Sequence, residues 1–369
     1  MYKFDNRIVV TLDAGGTNFV FGAMQASDFV VKPITLPSLS DDLDRCLGQL
    51  VKGFSEVIAQ LKTAPVAISF AFPGPADYEG GIIGGYLPNF PSFRQGVALG
   101  AFLEDKFGIP VYINNDGDLF AYGEALAGKL TEVNARVAEL GGSKTFKTLI
   151  GYTFGTGFGV GHVYDKVLHR GDNSCVETFC LKNKFDENLI VEEGVSVRAI
   201  KRVYAELSDI HDPSLEPKDI FDIAEGVREG NREAAIAAFE RFGETAGDAI
   251  ATAVSLIDGI VVIGGGITAA RKYILPSLLK EMRSCLSTLG GDSVQRVQPK
   301  VYDLDDVHEF EEFARGKARP IKVYGTDRFV NYDEEKRVGV AISAIGASRA
   351  ISLGAYNFAL SQIDKTSNN

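Results

Sequence analysis

One pattern occurs twice in this chain and restricts its fold more than any other feature. Residues 8–12 are apolar and largely β-branched. They run through Asp13-Ala14-Gly15-Gly16-Thr17-Asn18 into a second apolar stretch, residues 19–24. Roughly 140 positions later, residues 148–152 lead through Thr153-Phe154-Gly155-Thr156-Gly157 into residues 158–164. Apolar strand, glycine-rich turn, apolar strand is a hairpin signal. At so long a spacing the repeat marks two domains, not a solenoid. Residues 67–72 and 111–113 supply further strands for the first sheet, and 259–263 one for the second. Helical spacing occupies 41–62, 119–127, 197–207 and 231–257. Strands interleaved with helices give an α/β fold. The expected division is a smaller N-terminal domain, 1–115 with a stretch returning from about 340 to 369, and a larger domain, 116–339. Residues 338–360 read as one long terminal helix, and 364–369 as disordered. No low-complexity linker separates the halves, which predicts two domains with a hinged cleft.

A chain of 369 residues is long enough for two such domains. Its formal net charge of −11 argues against a nucleic-acid partner, because phosphate-backbone binding needs a basic surface. Residues 249–267 are mostly apolar, but Asp258-Gly259 interrupts them. They read as helix, turn and buried strand, not as a membrane span. The four cysteines, Cys46, Cys175, Cys180 and Cys285, form no paired spacing, which predicts a reducing cytoplasm.

A tight turn between two strands can aim several backbone N–H groups at one point and cradle an anion. Gly15 and Gly16 free the backbone there, Thr17 adds a hydroxyl, and Asp13 can hold a hydrated Mg²⁺. The stretch from Gly155 to Gly159 offers the same chemistry. Either turn alone is also what an ordinary hairpin uses. The two in equivalent places of a repeat, each with a threonine, point to phosphate. Gly264-Gly265-Gly266 directly follows a strand, where a flat ring can lie against the backbone. A P-loop is absent, since Leu130 stands where Ser or Thr is required, and the spacing from Gly155 to Gly161 does not fit a dinucleotide fingerprint.

Residues 111–113 form a strand that ends in Asn114-Asn115-Asp116-Gly117-Asp118, ahead of a helix. Phosphoryl transfer needs alignment, charge neutralisation and a carboxylate to take a hydroxyl proton. Asp116 suits that task. It also suits helix capping, for which Asp118 is better placed.

With Ala71-Phe72-Pro73-Gly74-Pro75 and Leu87-Pro88-Asn89-Phe90-Pro91 added, six motifs in order run along nearly the whole chain. On these the chain resembles the ROK sugar kinases of the actin–hexokinase–Hsp70 superfamily. The resemblance implies a duplicated ribonuclease H-like (actin-like ATPase) fold and transfer of the γ-phosphate of ATP to a hydroxyl of a hexose or hexose derivative. It implies Asp116 as general base, with Gly74, Asn89, Asn115, Glu177 and Glu192 at the sugar. The nucleotide would be held by Asp13, Gly15, Gly16, Thr17 and Asn18, by Gly155, Thr156 and Gly157, and by Gly264, Gly265 and Gly266, with Mg²⁺ bound through water by Asp13. It further implies a homodimer. The sequence departs from the family where Cys180 replaces a histidine and where residues 181–190 lack the cysteines of a zinc loop, so no structural zinc is expected. Residues 298–332 match no motif and read as an elaborated lobe. Two other readings remain: a sugar-sensing regulator without DNA-binding parts, since the twelve residues before Asp13 are too few for a helix-turn-helix, and a phosphatase or ATPase of the same superfamily.

Overall fold

The structure is a computed structural model that describes residues 2–74 and 76–367. Pro75 of the Ala71–Pro75 motif and residues 368–369 lie outside the described residues. The chain divides into two compact units. Unit 1 comprises Met1–Gly128, Gly161–Val176 and Ile345–Asn369, and unit 2 comprises Lys129–Val160 and Glu177–Ala344.

In unit 1, Val9–Ala14 and Asn18–Gln25 form the antiparallel hairpin, in register from Val9 opposite Met24 to Ala14 opposite Phe19. Ala67–Ala71 lies parallel to Val9–Ala14, and Val111–Asn114 lies parallel to Ala67–Ala71. Helix Leu43–Ile58 covers one face. Asp42 caps it by accepting from Arg45 N–H at 3.1 Å, and it buries Cys46, Leu50, Phe54 and Val57. Gly53 lies on that face because any side chain would enter the Phe21 ring. Burial of a phenylalanine such as Phe54 contributes about 1.5–3 kcal/mol. Helix Ala347–Ser367 covers the other face, packing Leu353, Tyr356, Ala359 and Leu360 on Val9, Met24 and Ala67.

Unit 2 repeats the plan. Thr148–Phe154, Ile260–Gly264, Arg337–Ile342 and Lys300–Asp303 run parallel in that order, and Phe158–Tyr164 returns beside Thr148–Phe154. The 26-residue helix Arg232–Ile257 packs across the sheet among Val191, Val195, Ile200 and Leu278. The apolar run ending near 267 is therefore helix, turn and buried strand, as its interruption predicts.

Three expectations need correction. Residues 338–360 are not one helix: Arg337–Ile342 is a fully paired strand, and the helix starts at Ala347. The β-branched Val-Gly-Val-Ala-Ile run suits a central strand, and Gly346 at φ +78° breaks the chain between the elements. Residues 364–367 are helical, not disordered, because Asp364 accepts from Tyr2 OH at 2.7 Å and pairs with Arg7 at 2.6 Å. The boundary expected at 115 falls at Gly128. Helix Asp116–Leu126 belongs to unit 1 because Gly123 and Gly354 let it lie directly against the terminal helix: a Cβ on either would meet the carbonyl of Ala350 or Leu119. Within residues 298–332 the structure forms strand Lys300–Asp303, helix Val307–Arg315 and the exposed hairpin Ala318–Lys322 with Phe329–Asp333.

Candidate functional site

In unit 1 an aromatic cluster sets the site. Phe19 stacks on Phe90 with centroids 6.0 Å apart, Phe72 lies 4.6 Å from Phe90, and Phe93 lies 5.2 Å from Phe72. Each such pair adds about 0.5–1.5 kcal/mol beyond burial. The cluster ties the first glycine turn to the segments carrying Gly74 and Asn89. Gly16 shows how closely: a Cβ there would lie 2.8 Å from Asn89 Cβ. Gly15 N–H donates to Asn18 O at 3.0 Å, and Ser38 and Ser40 hydroxyls both donate to Gly16 O. The turn's carbonyls are thus held from behind.

Asp116 opens helix Asp116–Leu126. Asn115, not Asp118, is the N-cap: its Oδ1 accepts from Gly117 N–H at 2.7 Å. An asparagine at the last extended position reaches back to the N2 amide, whereas Asp118 already lies within the helix and is buried. The Asn115 Nδ2 donates to Tyr78 OH at 3.5 Å, and that hydroxyl donates to Phe72 O at 2.9 Å. A side chain on Gly74 would strike the same hydroxyl. Tyr78 therefore organises Gly74 and Asn115 together, a role that no local sequence pattern announces.

The Asp116 carboxylate is reachable by solvent yet closely surrounded by protein. Desolvation, opposed by the Gly117 N–H and aided by the charge of Asp13, holds it above the ordinary carboxylate range. Asp13 is likewise open to water but ringed by protein atoms, and desolvation raises it too. Two residues on, in the same first turn, Asp118 is 7% exposed and is pushed up to about 7 by desolvation, against the nearby Arg170. Arg170 Nη1 donates to Asn114 Oδ1 at 3.1 Å and its guanidinium lies over the Phe358 ring.

In unit 2 the second turn has its own frame. Gly155 N–H donates to Gly157 O at 3.2 Å, and Val197 N–H donates to Gly155 O at 3.0 Å. Glu192 is committed here. Its Oε2 accepts from Phe158 N–H at 3.1 Å and its Oε1 from Arg198 at 2.8 Å, while Gly157 leaves room for the carboxylate. The family pattern had put Glu192 at the sugar; the structure ties both of its oxygens to the protein beside the glycine turn. Glu193 pairs with Arg198 at 2.8 Å. Glu177 is half-buried, close to Tyr152, whose phenol is raised mainly by desolvation, with Thr178 opposing the shift and Glu177 adding a smaller push upward.

Gly264 ends its strand opposite Thr153, at the base of the second turn. Gly265 has φ +100°, and a Cβ on it would meet the Phe154 carbonyl. A Cβ on Gly266 would meet open space. The triple glycine and the second turn are thus neighbours through strand pairing, an arrangement that spacing alone does not reveal.

Among the described residues no group of three or more His, Cys, Asp or Glu could hold a metal ion. Around residues 181–190, Asn183 Oδ1 accepts from Phe185 N–H at 2.9 Å, and Lys184 bridges Glu244 at 2.7 Å and Glu281 at 2.5 Å. No described helix is long and apolar enough to cross a membrane.

Residues 9–303 match the ROK family. The chain is 59% identical to a glucokinase from Parabacteroides distasonis whose solved structure superposes with a TM-score of 0.89, covering 98% of this chain and 99% of that one. It is 25% identical to an N-acetyl-D-glucosamine kinase from Vibrio parahaemolyticus, over 69% of this chain and 83% of the relative. A ROK family glucokinase from Streptomyces griseus, solved in complex with glucose and AMPPNP, shares the fold at 17% identity and a TM-score of 0.60, covering 94% and 98% of the two chains.

Proposed function

The chain belongs to the ROK family and is a glucokinase-like, ATP-dependent sugar kinase, and from that premise we propose that Asp116 is its general base and glucose its acceptor. The observation that carries the base assignment is a solvent-reachable carboxylate at a strand-to-helix junction, held above the ordinary aspartate range by its surroundings. A base works best when its pKa approaches the working pH, and such bases contribute roughly 10²–10⁴-fold. Asn115 and Gly74, organised by Tyr78, and Asn89, packed on Gly16, would line the sugar side of unit 1.

The first turn, with Gly15, Gly16, Thr17 and Asn18, would take phosphate oxygens through backbone N–H groups and the Thr17 hydroxyl. In unit 2, Gly155, Thr156 and Gly157 would do the same, with Gly264, Gly265 and Gly266 on the adenosine side. We assign Glu192 to holding the second turn, and Glu177 to the sugar by resemblance alone. Mg²⁺ fits the donor set: Asp13 is an accessible oxygen ligand next to a phosphate turn, and Asp116 adds uncompensated negative charge nearby. A cation held mainly by water and phosphate needs no more protein ligands than that. When bound, Mg²⁺ neutralises charge on the terminal phosphates. Asp116 then needs only to align the sugar hydroxyl and accept its proton.

The glucose assignment rests on the similarity to the Parabacteroides glucokinase, and the alternative N-acetylglucosamine on the more distant Vibrio kinase. A coupled ADP-release assay over a hexose panel tests it. Highest kcat/KM on glucose supports the assignment, and preference for an N-acetylated sugar overturns it. Sugar binding without turnover would instead support the sensor reading, and ADP release without sugar an ATPase. Asp116→Asn is expected to lower kcat by at least 100-fold with glucose still bound, as read by calorimetry; near-normal kcat would reject the base. A homodimer, testable by light scattering, and a cytoplasmic location, consistent with four free thiols, complete the proposal.

A further inference from the structure

Three parallel strands of unit 2, Thr148–Phe154, Ile260–Gly264 and Arg337–Ile342, begin around a cavity of about 200 Å³, at the ends opposite the second turn and the triple glycine. Its lining includes Lys144, Lys147, Asp258, Gly259 and Arg337. Arg337 is 4% exposed. Its Nη1 donates to Asp333 at 2.6 Å and its guanidinium stands over the Phe313 ring, but its Nε–H is buried and has no acceptor. Gly316, at φ +59°, makes room for this guanidinium, because a Cβ there would overlap it. A buried charged donor without a partner is costly and calls for an acceptor.

The charge around the cavity is out of balance. The lining carries three cationic side chains, Lys144, Lys147 and Arg337, beside one carboxylate, Asp258, in a chain whose net charge is −11. Desolvation lowers the pKa of Lys144, and Arg337 and Lys336 lower it further, against Asp258 and Asp333. The volume is smaller than the roughly 300–1,000 Å³ of pockets that enclose larger ligands, so it suits a compact guest.

We propose that this cavity binds a compact phosphate-bearing anion, accepting hydrogen bonds from Arg337, Lys144 and Lys147, away from the catalytic residues. Free phosphate and a small sugar phosphate share this chemistry. The test titrates inorganic phosphate and glucose 6-phosphate into the full chain at constant ionic strength, reading thermal shift and ³¹P line broadening. Wild type is expected to gain Tm with at least one of them. Lys144→Gln and Lys147→Gln are each expected to weaken that binding at least fivefold, while a control change at the remote, exposed Lys218 leaves it unaltered. Tighter binding of the hexose phosphate would identify a phosphorylated sugar as the ligand, and the reverse would identify free phosphate. Two results overturn the proposal: no shift with either anion, or an equal shift in wild type and both lysine variants, which would place the anion on the glycine turns.

Discussion

Replacing Glu192 by alanine separates two roles that the sequence alone cannot tell apart. As a sugar ligand, Glu192 would act on KM for the sugar. As the prop of the second turn, it would act on ATP. The structure ties Oε2 to Phe158 N–H at 3.1 Å and Oε1 to Arg198 at 2.8 Å. The Arg198 side chain is 49% exposed, so that pair contributes little, about 0–1 kcal/mol. The bond to the buried Phe158 amide is charge-assisted and worth about 1.5–3 kcal/mol. Alanine removes it and leaves that amide without its acceptor, directly after Gly157. If a loss of about 2 kcal/mol falls on the turn's phosphate-binding geometry, KM for ATP rises about 30-fold, at 1.4 kcal/mol per decade. Glu192→Gln keeps an acceptor oxygen and is expected to lose much less. The assay is coupled ADP release with ATP varied at saturating glucose, then glucose varied at saturating ATP, on protein whose melting shows it to be folded. A large rise in KM for glucose with KM for ATP unmoved would refute the reasoning and return Glu192 to the sugar.

Activity should fall on the acid side at a pH above the ordinary aspartate range, because Asp116 must be ionised to act and desolvation raises it, with Asp13 adding to the shift; a limb near pH 4 in kcat would contradict this. Asp118 is pushed up to about 7 from 3.8, so its protonated form favours the folded state, a contribution complete below about pH 4 and lost as pH rises through 7. Asp118→Asn removes the cost of burying the charge, and its stability relative to wild type should improve between pH 5 and 8, by at most about 3 kcal/mol, from the roughly two pH units between 5 and 7 at 1.36 kcal/mol per unit; equal urea-midpoint differences at both pH values would count against it. Gly265→Ala forces a side chain into a backbone with φ +100° and against the Phe154 carbonyl, which should cost at least about 1–3 kcal/mol in urea unfolding and weaken ATP binding; an unchanged midpoint would show that the turn relaxes.

The two hairpins, the strand leading to Asn114 and the placement of Asp116 at a helix start were all legible in the sequence, because each is written in neighbouring residues. The period-2 runs and the glycines between them have no other economical use. The errors have an equally local cause. Residues 338–342 contain apolar residues that suit a helix face and a strand alike; pairing with Ile260–Gly264 and Lys300–Asp303 settled them as strand. Asn115 and Asp118 are both competent caps by type, and only the backbone conformation at Asn115 selects it.

The sequence by itself determined where the chain turns, which turns carry glycine and hydroxyl, and which carboxylate stands at the strand end, since these follow from spacing along one segment. Only the tertiary structure decided what those groups touch. Glu192 reaches Phe158 across 34 residues, Tyr78 reaches Asn115 across 37, and Arg170 reaches Asn114 across 56. Hydrogen bonds at such separations form because packed sheets and helices bring distant segments together, and no pattern within either segment encodes its partner.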